Sequence, residues 1–232
     1  MMSVDTTSAY TVPQGQKAPT SAALPSIQPT TNGTSLQAAN ASKMAGQAGG
    51  HTHIFLVTGP AGCGKSSVAE YLANALNMPY IEGDSFHTPA NIEKMRNGIP
   101  LTDADRWDWL TALREESMRQ IKEGQTGVVM TCSALKRKYR DVIRVAAYYD
   151  HRLLIHFIYL DASEELLLRR VAQRQNHYMG ANMVHSQFDI LERPSENETD
   201  VITIDVSRTL AEVQQDALAR AIETIKKDEE SQ

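Results

Sequence analysis

The stretch GPAGCGKS, residues 59–66, follows the apolar run 53–58 and precedes residues 67–76, whose apolar positions have helical spacing. Its pattern, G-x-x-x-x-G-K-[ST], is that of a phosphate-binding loop, which requires a strand before it and a helix after it. The glycines permit positive φ angles, so successive backbone N–H groups can converge on an anion at the positive end of the helix. Lys65 would reach the β- and γ-phosphates, and the Ser66 hydroxyl would bind Mg²⁺. The stretch therefore predicts a site for a nucleoside triphosphate.

Short apolar runs alternate with longer segments of helical periodicity from residue 53 onward. The predicted strands are 53–58, 79–82, 127–131, 153–160 and 201–205. The predicted helices are 65–76, 89–97, 106–123, 135–147, 163–175, 183–191 and 209–226. This alternation implies right-handed crossovers, and hence an α/β fold with a central parallel five-stranded sheet and helices on both faces. Ligands of such sheets bind beyond the carboxyl ends of the strands.

The composition of the chain divides it into a tail and a domain. Residues 1–50 are rich in Ser, Thr, Ala, Gln, Asn and Gly and poor in large aliphatic residues, so we interpret them as a disordered tail and residues 51–228 as the folded domain. We find no secretory signal and no apolar run of membrane-spanning length. The two cysteines suit a reducing compartment, and we expect a cytoplasmic protein. The formal net charge of −5 argues against binding to nucleic acid, while the oligomeric state stays open, a homodimer included.

Polar residues follow the second predicted strand and face the phosphate loop. Glu82 and Asp84 are two residues apart, so their side chains point to the same side of an extended chain. There Asp84 would orient an attacking hydroxyl or accept its proton, and Glu82 would hold a water bound to Mg²⁺. Either carboxylate would alternatively cap a helix or face solvent. His87 would bind a polyol hydroxyl or serve as a helix cap.

Two longer segments identify a family. Residues 84–95 read D-x-x-H-x-P-x-N-x-x-K-M, residues 98–107 read G-I-P-L-T-D-x-D-R-W, and CSALKRKYRD follows at 132–141. In these segments the chain resembles the gluconokinase family, the ATP:D-gluconate 6-phosphotransferases, which are relatives of shikimate kinase. The likeness extends over about residues 53–225, and Glu82 departs from it because the family more often has Asp there. The resemblance implies a P-loop kinase fold with a mobile helical lid at about 170–190, and transfer of phosphate from ATP to D-gluconate with Mg²⁺.

The residues and the resemblance together assign roles, which we state as predictions. The predicted catalytic residues are Lys65, Asp84 and Arg174. The predicted ATP-binding residues are Gly59, Pro60, Ala61, Gly62, Cys63, Gly64, Lys65, Ser66, Ser67, Arg170 and Arg174. The predicted substrate-binding residues are Asp84, His87, Arg106, Ser133, Lys136 and Arg137. The predicted metal-binding residues are Ser66 and, through water, Glu82.

Several of these roles have a structural alternative. Arg106 would grip the carboxylate of the substrate, because a guanidinium can bond both oxygens, or it would pair with Asp103 or Asp105. Arg170 and Arg174 share a helix face and would cover the phosphates, or they would form a basic surface helix. Cys63 lies near a helix N-terminus, which would lower the pKa of a thiol and permit a redox role; alternatively it is a small residue filling a tight loop.

Two other functions stay open at this stage. Another small-molecule kinase of the same architecture, for shikimate or a nucleotide, would share the phosphate loop. A nucleotide-dependent switch would share it as well, but the sequence has no Asn-Lys-x-Asp motif for reading guanine.

Overall fold

The computed structural model of the chain describes residues 50–173 and 181–230. The predicted tail, except for Gly50, and the predicted site residue Arg174 lie outside these ranges. Within them, no helix has the length and apolar character needed to cross a membrane.

Strands and helices alternate along the described chain. The strands are β1 (Thr52–Thr58), β2 (Tyr80–Ile81), β3 (Gly127–Thr131), β4 (Leu153–Asp161) and β5 (Val201–Asp205). The helices are α1 (Lys65–Leu76), α2 (Pro89–Arg96), α3 (Asp103–Lys122), α4 (Arg137–Arg144), α5 (Ala146–Tyr149), α6 (Glu164–Ala172), α7 (Ala181–Asp189) and α8 (Leu210–Glu230). A short 3₁₀ helix, Gly83–Phe86, follows β2.

The five strands form one parallel sheet in the order β2-β3-β1-β4-β5, which confirms the predicted fold class. Successive side chains of β1 point to opposite faces, and both faces are buried. Phe55 and Val57 pack in one core cluster with residues of α1 and α8. Ile54 and Leu56 pack in the other with residues of α3 and α4. Burial on both sides explains why the strands read as continuous apolar runs.

Helix α1 has its predicted bounds, whereas the other helices differ from theirs by one to four residues, and two of these differences have a clear physical cause. Helix α3 begins at Asp103, not at residue 106, because Thr102 and Asp105 form a capping box at its first turn. The helix predicted at 135–147 is instead α4 and α5, and residues 132–136 form an irregular turn after β3. Ala134 in that turn has a φ of 34°, a left-handed conformation that no helical pattern would indicate.

Candidate active site

The phosphate loop joins β1 to α1 with three of its glycines at positive φ. These are Gly59 at 142°, Gly62 at 85° and Gly64 at 102°. A Cβ on Gly59 would lie 2.9 Å from the carbonyl oxygen of Leu160, so this glycine also allows a close approach of two backbones. Helix α1 begins at Lys65, directly after the loop, so its N-terminal amides point toward the space that the loop encloses. This backbone is suited to hold an anion.

Three hydrogen bonds involve the phosphate loop and its lysine. The Lys65 ammonium donates to the carbonyl oxygens of Gly59 at 3.0 Å and Pro60 at 3.1 Å. The backbone N–H of Ala61 donates to Oε1 of Gln187, a buried residue of α7, at 2.7 Å. The Gln187 side chain therefore connects helix α7 to the phosphate loop.

A hydroxyl and a carboxylate meet beside the loop. Glu82 accepts hydrogen bonds from the Thr131 hydroxyl at 2.5 Å and from the Tyr80 hydroxyl, and the nearby Ser66 hydroxyl also stabilises its charge. Burial raises the pKa of Glu82, but these hydrogen bonds outweigh it and hold the pKa below its usual value. The carboxylate is therefore ionised at neutral pH. Two hard oxygen donors, on Ser66 and Glu82, fit the ligand preference of Mg²⁺.

The 3₁₀ helix that carries Asp84 is held by backbone contacts on two sides. The N–H of Gly83 donates to the Thr131 hydroxyl at 2.9 Å, and Trp109 Nε1 donates to the Gly83 carbonyl oxygen at 2.7 Å. A Cβ on Gly83 would lie 1.9 Å from the Thr131 carbonyl oxygen, so only glycine fits. This anchoring fixes the direction in which Asp84 leaves the sheet.

Asp84 lies at the mouth of a cavity with its side chain 56% exposed. The surrounding protein atoms raise the pKa of Asp84 by desolvation, Lys65 opposes this shift and Glu82 adds to it. The net direction is upward, which makes the carboxylate a better proton acceptor than an ordinary surface aspartate.

His87 is buried and uncharged in the same cavity. Its ring stacks on Trp109 with centroids 4.0 Å apart, and burial together with Arg106 lowers its pKa to about 4. The 3.9 Å approach to Asp84 is therefore not an ion pair at neutral pH. The buried Nδ1 of His87 has no hydrogen-bond partner among the described residues.

Arg106 is buried without a carboxylate partner in the described part of the chain. Its side chain makes one 3.4 Å hydrogen bond to the Leu101 carbonyl oxygen and lies 5.4 Å over the Tyr139 ring, while its Nε has no partner. The alternative pairing is not observed. Asp105 pairs with Lys94 at 2.6 Å, and Asp103 with Lys136 and Lys138. A buried guanidinium is costly unless a ligand brings a negative charge.

These residues line one cavity of about 460 Å³, counting the part open to solvent. Six of its lining residues were predicted as site residues from the sequence: Ala61, Lys65, Asp84, His87, Arg106 and Ser133. The lining also includes Trp109, Gln187 and three apolar side chains that were not predicted as site residues: Met95, Leu101 and Met183. Apolar lining residues carry no chemical signature, and only the packing of α2, α3 and α7 brings them to the cavity.

Other predicted site residues lie outside this cavity. Lys136 pairs with Asp103 at 3.2 Å, and Arg137 is exposed. Arg170 donates to the Val206 carbonyl oxygen at 2.6 Å, just beyond β5. Ser67 is exposed at the start of α1. Their proposed contacts with ligands stay predictions.

The expectation of a low thiol pKa at Cys63 is wrong. The side chain is fully enclosed, and burial raises its pKa more than Lys65 lowers it. The structure therefore favours the alternative interpretation, a small residue that fills the tight loop.

The fold and the loop define a class of protein. A parallel sheet with a phosphate loop after its central strand, and a polar cavity beside that loop, is a P-loop kinase fold, which binds a nucleotide. The family described as an AAA domain matches residues 54–194.

Similar proteins specify the class further. A "Probable gluconokinase" of Schizosaccharomyces pombe is 47% identical over 170 residues, covering 72% of this chain and 87% of that protein. The "Thermosensitive gluconokinase" of Escherichia coli is 38% identical, covering 68% and 82%. The crystal structure of a gluconokinase from Sinorhizobium meliloti has a TM-score of 0.66 at 39% identity, covering 77% of this chain and 96% of that one. The chain belongs to the gluconokinase family, which confirms the resemblance seen in its motifs.

Proposed function

We propose that this protein transfers the γ-phosphoryl group of ATP to the 6-hydroxyl of D-gluconate, giving 6-phospho-D-gluconate and ADP. The observation that carries the proposal is Arg106, a buried guanidinium that faces a cavity beside the phosphate loop and has no carboxylate partner among the described residues. A sugar acid supplies the missing carboxylate. A neutral sugar would leave the charge unpaired, which is unfavourable.

The remaining lining residues suit the other end of an extended polyol. The Nδ1 of His87 and the Ser133 side chain offer hydrogen bonds to hydroxyls. Asp84, with its raised pKa, orients the terminal hydroxyl and accepts its proton as phosphoryl transfer proceeds. When ATP binds, the Lys65 ammonium exchanges its hydrogen bonds to the Gly59 and Pro60 carbonyl oxygens for contacts with the β- and γ-phosphates. There it neutralises the negative charge that develops during the transfer.

We also propose that Mg²⁺ accompanies the nucleotide, held by the Ser66 hydroxyl and, through water, by Glu82. The ion supplies charge neutralisation of the phosphates. Glu82→Gln keeps the size of the side chain and removes its charge. We expect it to raise the Mg²⁺ concentration for half-maximal rate about 10-fold, while an unchanged Mg²⁺ requirement would remove Glu82 from this role.

Helix α7 belongs to the segment that resembles a lid. We propose that its Gln187, which accepts from the Ala61 N–H, keeps α7 close to the donor phosphates and restricts the access of water to them. Arg170 and Arg174 keep their predicted roles over the phosphates and the nucleotide.

The function is tested by ADP release in a coupled assay with a panel of acceptors. D-Gluconate, D-glucose, shikimate and nucleoside monophosphates are compared at equal concentration. We expect turnover of D-gluconate and little turnover of D-glucose, which has the hydroxyls but not the carboxylate. Fast turnover of shikimate or a nucleotide with none of gluconate would favour the related kinases, and nucleotide binding with no acceptor turnover would favour a switch.

A further inference from the structure

A second cluster of ligand-type side chains lies at the end of the sheet opposite the phosphate loop. His53 is the second residue of β1, His156 lies in β4, and Asp228 lies near the end of α8. His156 is in register with Phe55, so His53 and His156 share the face of the sheet that α8 covers. Five strand residues, or about 17 Å, separate His53 from the end of β1 where the loop begins.

The three candidate ligand atoms form a triangle with sides of 3.1–3.8 Å. Nδ1 of His53 lies 3.1 Å from Nε2 of His156, and Oδ2 of Asp228 lies 3.3 Å from that Nε2 and 3.8 Å from the Nδ1. In a tetrahedral Zn²⁺ site with bonds of about 2.0–2.1 Å, neighbouring ligand atoms are about 3.3–3.4 Å apart. The triangle therefore has the dimensions of one face of such a tetrahedron.

The polar atoms of this cluster lack sufficient partners of their own. The imidazoles are 5% and 9% exposed, and Oδ2 of Asp228 is buried with no hydrogen-bond partner among the described residues, although Nε2 of His156 is near. Burial, together with His156 and His51, lowers the pKa of His53 to about 3. Its ring is therefore neutral and keeps a lone pair, the state in which imidazole binds metals. The ring of Phe55 stacks on His156 at 5.0 Å and limits rotation of that ligand.

We propose that His53, His156 and Asp228 bind one divalent transition-metal ion, with Zn²⁺ the best match to two imidazoles and one carboxylate at this spacing. Water completes the tetrahedron. The ion joins the end of α8 to β1 and β4, so its role is to fasten the C-terminal helix to the sheet. It takes no part in phosphoryl transfer, because the phosphate loop is at the opposite end of β1.

The competing interpretation is a purely hydrogen-bonded cluster, in which one imidazole donates to the other and the carboxylate stays unsatisfied. The two interpretations differ in their response to metal. A hydrogen-bonded cluster gains nothing from Zn²⁺, whereas a metal site is stabilised in proportion to the logarithm of the free ion concentration.

The test uses the full chain, stripped of metal and free of nucleotide, because ATP itself binds divalent ions. Titration calorimetry with Zn²⁺ should give one ion per chain, and Co²⁺ should give the visible absorption of a tetrahedral complex. At a free Zn²⁺ concentration about 100 times the Kd, the Tm should rise by about 5–10 °C.

Asp228→Asn is the principal variant, since the residue is partly exposed and its replacement conserves shape. We expect the Kd for Zn²⁺ to rise at least about 10-fold, and the same for His156→Gln. His151→Gln, at an exposed histidine outside the cluster, is the matched control and should bind as the native protein does. No uptake of Zn²⁺ by the native protein would overturn the proposal. Undiminished binding by Asp228→Asn would also overturn it, because the ion would then lie elsewhere, for example at the carboxylates beside the phosphate loop.

Discussion

Replacing Arg106 by Met should move activity and stability in opposite directions. Arg106 is 6% exposed, with one long hydrogen bond to the Leu101 carbonyl oxygen and one cation–π contact with Tyr139. These contacts contribute about 1–2 kcal/mol, whereas burial of an unpaired charge costs several kcal/mol. Met fills a similar space without charge. We therefore expect the free energy of unfolding to rise by about 1–2 kcal/mol, or the Tm by about 2–8 °C.

The same substitution should disable catalysis with a sugar acid. Loss of a buried, hydrogen-bonded partner of a carboxylate costs about 3–5 kcal/mol, which corresponds to a fall in kcat/KM for D-gluconate of about 10²–10⁴-fold. The KM for ATP should stay the same, because Arg106 lines the acceptor cavity and not the phosphate loop.

Thermal unfolding and the coupled assay measure both effects on the same samples. Arg106→Lys is the control that keeps the charge but loses the planar fork, so it should lose part of the activity without gaining stability. Residual turnover of D-glucose offers a second control, since it involves no carboxylate and should not fall in Arg106→Met. A lower Tm with undiminished kcat/KM would refute the reasoning and make Arg106 a structural residue.

Three further predictions concern the base, a buried ion pair and the tail. Asp84→Asn should lower kcat at saturating D-gluconate about 10²–10⁴-fold with little change in ATP affinity, and steady-state kinetics with unchanged kcat would remove Asp84 from its role. Hydrogen bonds from Arg140 and then Arg144 outweigh the effect of burial and hold the pKa of Glu198 at about 2. The ionised Glu198 carboxylate therefore stabilises the folded protein fully at pH values above about 4.3, its pKa in the unfolded chain. This contribution is lost as the pH falls toward 2. Glu198→Gln should cost about 3 kcal/mol at pH 7 in urea unfolding, and a difference from the native protein that persists at pH 2 would contradict this assignment. We propose that residues 51–228 fold without residues 1–50, so deleting those fifty should leave the Tm unchanged, and a large drop would show that they contribute to the fold.

The fold was largely predictable because buried parallel strands have a simple signature. Strands β3 and β5 have the predicted bounds, and β1 begins one residue earlier. Strand β2 was predicted over 79–82 but has only two residues, since the chain turns at Glu82 into the 3₁₀ helix. The cause is the approach of Gly83 to Thr131, a contact between residues 48 positions apart that no local pattern encodes.

The two halves of the site also differ in how well the sequence predicts them. The donor half is one continuous stretch, in which glycine conformations and a helix start fix the geometry, so the sequence was enough to predict it. The acceptor half depends on distant contacts. Gln187 reaches Ala61 across 126 positions, and Lys136 has the charge expected of a phosphate ligand but pairs with Asp103, 33 positions away. Residue type indicates which groups can bind an anion, but only the fold determines which of them lack a partner.

The start of helix α3 explains why Arg106 keeps no acidic partner in the described structure. Asp105 accepts from the Thr102 N–H to form the helix cap and also pairs with Lys94. Asp103 pairs with the two lysines beside α4. The two carboxylates that precede Arg106 in α3 are thus occupied by lysines and by the cap, while the Arg106 guanidinium is left for a ligand. The first turn of α3 therefore starts the helix and also leaves the Arg106 guanidinium without an acidic partner. The proposed selectivity for an acid substrate thus depends on how α3 is capped.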